Sequence, residues 1–139
     1  MNTKTAKRPV PRPTKTTEPF WEGVKEGKLL LQYDPETKAY QFYPRAGSVK
    51  TGKRNLEWRE ASGRGTIYSV TETYVPMPGF EDRGTYLLAM IDLDEGVRIL
   101  ANLVNVTAEE AVIGLPVRVA FERIGEDADY FCFEPDPAR

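Results

Sequence analysis

Through the second half of the chain, apolar and polar positions repeat with the period of two that a half-buried strand requires. Val117, Val119 and Phe121 alternate with Arg118, Ala120 and Glu122. The stretch Thr66 to Val75 sets Tyr68, Val70 and Tyr74 on one face and Ile67 and Val75 on the other. Tyr86 to Leu93 and Val97 to Val104 flank Asp94-Glu95-Gly96, a hairpin signal. A turn from Gly125 to Asp129 leads into a last strand, Tyr130 to Phe133. Between the third and fourth strands, Thr107 and Glu110 stand at capping-box spacing and predict a short helix through Val112, which Gly114-Leu115-Pro116 breaks. Three strands, a short helix and two more strands is the element order of the five-stranded OB-fold.

The first half has a different rhythm. Residues 1–16 are poor in apolar side chains and carry Pro9, Pro11 and Pro13 in alternation, the mark of an extended, solvated arm. A short helix begins at Thr17–Glu18, with Pro19 in its first turn, an apolar side made by Phe20, Trp21 and Val24, and Gly27 at its end. A helix this short and glycine-containing needs something to dock on. Lys28 to Tyr33, the turn Asp34 to Lys38 and the return Tyr40 to Tyr43 form a strand pair. A second turn through Gly47, Ser48 and Gly52 leads to Leu56-Glu57-Trp58, completing a small ribbon. The chain thus divides into an arm (1–16), a helix with ribbon (17–60) and a barrel (61–135), the last two forming one compact unit.

The 139 residues, 40% of them hydrophobic, are enough for one packed core without staples. There is no histidine and one cysteine. That removes the commonest general base, every Ser-His or Cys-His arrangement, an internal disulfide and any multi-cysteine metal cage. Cys132 lies in an apolar strand and reads as an inert buried thiol. Five of the 19 basic residues fall in the first 17 positions, which hold no acid, so the remainder carries 14 basic against 21 acidic residues. An acidic body is a poor surface for a phosphate backbone, which disfavours nucleic acid outside the arm. No apolar run is long enough for a membrane span, and the expected location is the cytoplasm.

Several of these segments carry a resemblance. Pro19-Phe20-Trp21, Gly27 to Gln32, Phe42-Tyr43-Pro44-Arg45, Leu56-Glu57-Trp58, Ser62 to Ser69, Glu95-Gly96-Val97 and Gly114 to Phe121 occur in this order. Together they resemble an acyl-CoA-associated family, domain-of-unknown-function family thirty-five, over roughly residues 18–135. Its members join an N-terminal helix and a rubredoxin-like zinc ribbon to an OB-fold, beside thiolases, acyl-CoA hydratases and other acyl-CoA enzymes. The resemblance implies a mainly β fold: a short helix, ribbon-like hairpins and a five-stranded barrel with one short helix. The family's ribbon has two Cys-x-x-Cys pairs; here Asp34, Thr37, Ser48 and Thr51 stand at those positions. Mixed hard oxygens do not make a structural zinc site, so the ribbon is expected to be metal-free and held by Tyr33, Tyr40, Phe42, Tyr43 and Trp58.

The resemblance implies a non-catalytic accessory subunit of a thiolase-like or acyl-CoA hydratase-like enzyme, with no tightly bound cofactor but coenzyme A or acyl-CoA held in the complex. Arg45 is a candidate coenzyme A contact or a salt-bridge residue. Gly63-Arg64-Gly65 either cradles a phosphate through Arg64 or marks a sharp bend in a barrel strand. Phe20 and Trp21 either anchor a partner or cover the ribbon. Asp92, Asp94 and Glu95 lack calcium-loop spacing and read as a solvated hairpin tip. Tyr68 and Tyr74 read as barrel wall. Their alternative is base stacking, which keeps a single-stranded nucleic-acid-binding OB protein as the second functional class.

Overall fold

A computed structural model describes residues 8–124 and 128–139. Among the described residues, one α-helix, eight strands and a 3-10 turn follow in chain order: α1 (Glu18–Lys25), β1 (Leu30–Asp34), β2 (Ala39–Gln41), β3 (Glu57–Glu60), β4 (Arg64–Thr73), β5 (Tyr86–Leu93), β6 (Arg98–Leu103), β7 (Pro116–Ile124) and β8 (Ala128–Pro135), with the 3-10 turn at Glu81–Arg83. The ribbon is a three-stranded antiparallel sheet in the order β2-β1-β3. The other five strands close into a barrel in the order β4-β5-β6-β8-β7. That is first-second-third-fifth-fourth, the order of a five-stranded OB-fold.

The barrel fills with one side of each strand. Leu87, Ala89, Ile91 and Leu93 of β5 and Ile99, Ala101 and Leu103 of β6 point inward, alternating with more exposed neighbours. They meet Ile67, Val117 and Phe133 in a core that continues into Phe20, Val24, Leu29 and Leu31 of the helix and ribbon. Helix, ribbon and barrel therefore share one core, and the Ala61 N–H to Leu29 O bond (2.8 Å) stitches the ribbon to the entry of β4.

Four expectations change. The stretch 107–112 is a turn rather than a short helix: the Glu110 and Ala111 N–H groups bond the Thr107 carbonyl, and Gly114 N–H then bonds Ile67 O across the barrel rather than continuing a helical ladder. Tyr68 does not build the wall. A bulge between Ile67 and Ser69 turns it outward to 49% exposure, with the Arg98 guanidinium 3.4 Å from its ring centroid. Tyr74 and Val75 lie past the end of β4 and are exposed, so they belong to neither face. The arm is not solvated throughout. Arg8 packs over the Phe80 ring and donates to Asp82, to Glu122 and to Gly79 O, because its guanidinium finds two carboxylates at one rim of the barrel. Lys4 and Lys7 lie outside the described residues, as does most of the Gly125–Asp129 turn.

Gly63 and Gly65 act as a bend. Gly63 has φ +75°, and a Cβ there would meet the Val119 side chain. A Cβ on Gly65 would collide with the Asp92 carbonyl and Ile91. Gly65→Ala is therefore expected to destabilise the barrel markedly, checked by urea unfolding.

Candidate functional site

Three places bear on function: the two knuckles of the ribbon, a cleft in the barrel wall, and the barrel rim around Arg64. The ribbon is the most built of the three. Asp34, at the end of β1, accepts from the backbone N–H of Glu36 (2.9 Å) and Thr37 (3.3 Å), closing the first knuckle. Its other oxygen accepts the Ser48 hydroxyl at 2.6 Å, joining the first knuckle to the second. Ser48 Oγ in turn accepts from the N–H of Lys50 and Thr51. Asp34 and Ser48 are 2% and 6% exposed. The Ser48 hydroxyl, aided by the Glu36 and Thr37 N–H groups against the cost of burial, holds the Asp34 carboxyl below the usual carboxylate range.

A pair of buried glutamines completes this network. Gln32 Nε2 donates to Arg45 O (2.7 Å), and its Oε1 accepts from Arg45 N–H and Gln41 Nε2. Gln41 also donates to Gly47 O and accepts from Val49 N–H. Two side chains on neighbouring strands thus fix the backbone of the second knuckle at three residues. The aromatic side chains expected to hold the ribbon lie mostly on its faces: Tyr33 packs on Tyr40 at 4.9 Å and under Arg59, and Tyr43 is exposed. Hydrogen bonds at the knuckles share the work.

Of the four positions where the resemblance implies thiolates, Asp34 and Ser48 meet through their side chains, and Thr37 and Thr51 bond to them through backbone N–H groups. Their donor set does not fit a structural zinc ion: one carboxylate, whose oxygens are taken up by a hydroxyl and two N–H groups, stands among three hydroxyls. Thr37 Oγ1 is buried there without a hydrogen bond. Among the described residues no cluster of three His, Cys, Asp or Glu could hold a metal.

The cleft lies between β6 and β8, which pair in parallel only at Leu103–Phe133 and splay apart beyond it. It encloses about 270 Å³ between Trp21, Leu100, Asn102, Phe131 and Cys132, with Phe80 and Glu122 at its edge. Trp21 reaches it from α1. Phe20 does not. It is 1% exposed, edge-on to Trp21 and Phe131 at 5.1 and 5.5 Å and 5.8 Å from Phe42. Phe20 fastens α1 to β8 and the ribbon and has no surface to offer a partner; Trp21, half-buried, does. Cys132 Sγ lies 3.6 Å from Ala120 O at the cleft wall.

Arg45 and Arg64 are not brought together. Arg45 is exposed on the second knuckle, and Arg64 opens β4 beside the buried Asp136, 3.6 Å away. The hairpin acids are spoken for: Asp92 by Arg98, Asp94 by Arg139, and Glu95 by Ser62. Sequence reasoning missed Gln32, Gln41, the Arg8 contacts and the cleft. A polar residue at an inward position of a strand was the available signal for the glutamines; the cleft depends on strand pairing that no local pattern encodes.

This architecture has relatives. A family described as "ChsH2, C-terminal OB-fold domain" matches residues 58–122. A DUF35 domain-containing scaffold protein of Methanocaldococcus jannaschii is 31% identical over 111 residues, covering 78% of this chain and 79% of that one. The 3-oxo-4,17-pregnadiene-20-carboxyl-CoA hydratase alpha subunit of Mycobacterium tuberculosis is 30% identical over 91% of this chain, which spans 40% of that protein's length. Among solved structures, a chain of the "Ltp2-ChsH2(DUF35) aldolase" superposes with a TM-score of 0.82 at 26% identity, covering 90% of this chain and 98% of that one. With helix, ribbon and OB barrel in the same order and this identity over most of both chains, the protein belongs to the DUF35 family.

Proposed function

We propose that the chain is a non-catalytic accessory subunit that docks on a thiolase-like or other acyl-CoA-using enzyme and helps to hold or pass the acyl-CoA. The observation that supports this most is the likeness, over almost the whole of both chains, to the DUF35 chain of an aldolase assembly. The hydratase alpha subunit adds an acyl-CoA enzyme in which a segment like this chain is about two-fifths of a larger polypeptide.

What the chain itself contributes is shape. The cleft is apolar on Trp21, Leu100 and Phe131 and smaller than most pockets for a whole cofactor, so it suits one portion of a thioester ligand. Positioning such a portion against a partner's reactive groups is a recognised source of rate. Arg45 and Arg64 remain the cations proposed to meet coenzyme A phosphates, from two separate surfaces. We place the protein in the cytoplasm; none of the helices among the described residues is long and apolar enough to cross a membrane.

The test is co-expression with an acyl-CoA enzyme encoded beside this gene. The expected result is a stoichiometric complex whose turnover exceeds that of the enzyme alone, with no acyl-CoA turnover by this chain alone. Absence of both a complex and any effect on turnover sinks the reading. Trp21→Ala is expected to weaken that complex or its acyl-CoA binding by about tenfold or more, with a smaller fall in melting temperature than Phe20→Ala. Elemental analysis of the purified chain is expected to find no stoichiometric zinc, and a chelator to leave the melt unchanged.

A further inference from the structure

The second knuckle of the ribbon carries charge of one sign. Between Lys38 and Arg54 lie five of the 19 basic residues and none of the 21 acidic ones. The fold gathers them. Asp34–Ser48 at 2.6 Å and Glu36–Lys53 at 3.0 Å hold the knuckles side by side, and Ser48 N–H to Lys53 O at 2.9 Å closes the second into a tight loop. Lys38, Arg45, Lys50 and Arg54 are exposed, and only Lys53 of the five has a carboxylate partner. Val49, at 61% exposure, lies on the second knuckle, and Tyr43, at 52%, lies on the segment leading into it.

A solvated basic loop would be the ordinary explanation if the segment were loose. It is not. The backbone of Arg45, Gly47 and Val49 is pinned from beneath by Gln32 and Gln41, and that of Lys50 and Thr51 by Ser48. Four unpaired cations and two apolar side chains are thus presented on a backbone fixed by buried hydrogen bonds, so little ordering entropy remains to oppose binding. The sequence around this tip is acidic, which would repel a long polyanion running across the molecule but not a local patch that meets the tip alone.

We propose that this ribbon tip is a protein-docking surface whose occupant is an acidic, apolar-centred patch on a partner protein. The accessory-subunit reading enters only in making the partner an acyl-CoA enzyme. Val49 and Tyr43 supply apolar contacts, and Lys38, Lys50 and Arg54 the charge that steers approach and sets register.

The experiment uses the full chain and a variant, Lys38→Glu/Lys50→Glu/Arg54→Glu, whose side chains have no partners to lose. A control variant reverses the same number of charges at Lys15, Lys25 and Lys28. Each is titrated by fluorescence anisotropy against short labelled poly-glutamate and oligo(dT) of equal length, neither longer than the tip itself, at about 50 and 200 mM salt. Wild type and control are expected to bind poly-glutamate alike and to lose affinity with salt, and the tip variant to lose about tenfold or more at low salt with an unchanged melt. Equal loss in the control, or no loss in the tip variant, overturns the proposal. So does tighter binding of oligo(dT) through the same three residues, which would make the tip a nucleic-acid surface. In the co-expression assay, a complex that forms undiminished with the tip variant sinks this proposal and leaves the accessory function standing. Tip-dependent poly-glutamate binding with no enzyme captured does the reverse.

Discussion

Phe20→Ala will cost about 3–5 kcal/mol of folding free energy, the range for truncating a fully buried phenylalanine. For a chain of this size that corresponds to a fall in melting temperature on the order of 10 °C or more. Phe20 has 1% of its surface exposed and touches Trp21, Phe42 and Phe131, one from each of the parts that must be joined: helix, ribbon and last barrel strand. Its removal leaves a cavity where three elements meet, and the other fully buried side chain of the short α1 is the smaller Val24. Urea unfolding measures the loss. A Phe20→Ala chain that unfolds like wild type but no longer binds its enzyme would assign Phe20 to the partner after all, contrary to its burial.

Ser48→Ala will cost about 1–3 kcal/mol, because it leaves one oxygen of Asp34 without its short hydrogen bond and the N–H groups of Lys50 and Thr51 without an acceptor. The loss should also depend on pH in a defined direction. The folded Asp34 carboxyl titrates below its unfolded value of about 3.9. Its contribution is therefore complete above that unfolded value and disappears as pH falls through the lower, folded one. The gap in melting temperature between wild type and Ser48→Ala is expected to be constant from neutral pH to about 5 and to shrink below about 4. A gap independent of pH down to strongly acid solution would mean that Ser48 stabilises the ribbon by some route other than the carboxylate.

Much of the architecture is legible in the sequence. The alternation in β7 predicts its inward face, and Asp94-Glu95-Gly96 predicts the hairpin between β5 and β6. Pro19 and Gly27 bracket α1 within a residue or two. At the site, the replacement of thiolate positions by Asp34, Thr37, Ser48 and Thr51 was visible as a chemical mismatch. The compensation was not. Gln32 lies in an apolar run and Gln41 between two aromatics, and neither shows from sequence that they face each other; that follows from the β1–β2 register, in which Gln32 sits opposite Gln41. The capping-box pattern at Thr107 and Glu110 misled because Gly114 and Leu115 are drawn into the barrel by hydrogen bonds with Ile67, a tertiary demand that outweighs a local helix start.

What the sequence determined by itself is whatever depends on near neighbours along the chain: strand faces, turns, the helix and its ends, and the chemistry that the absence of histidine and thiolate pairs excludes. Tertiary structure alone decided which residues meet across strands and therefore what the surfaces can do. Phe20 is fully buried and Trp21 half-buried at the cleft although they are adjacent, because α1 docks on β1 and β8 with Phe20 turned into the shared core. The basic residues of 38–54 become one surface only because Asp34 and Ser48 draw two knuckles together. Periodicity reports which side of an element is apolar, but the partner of each side is set by the closure of the barrel and the register of the ribbon, and those are properties of the whole chain.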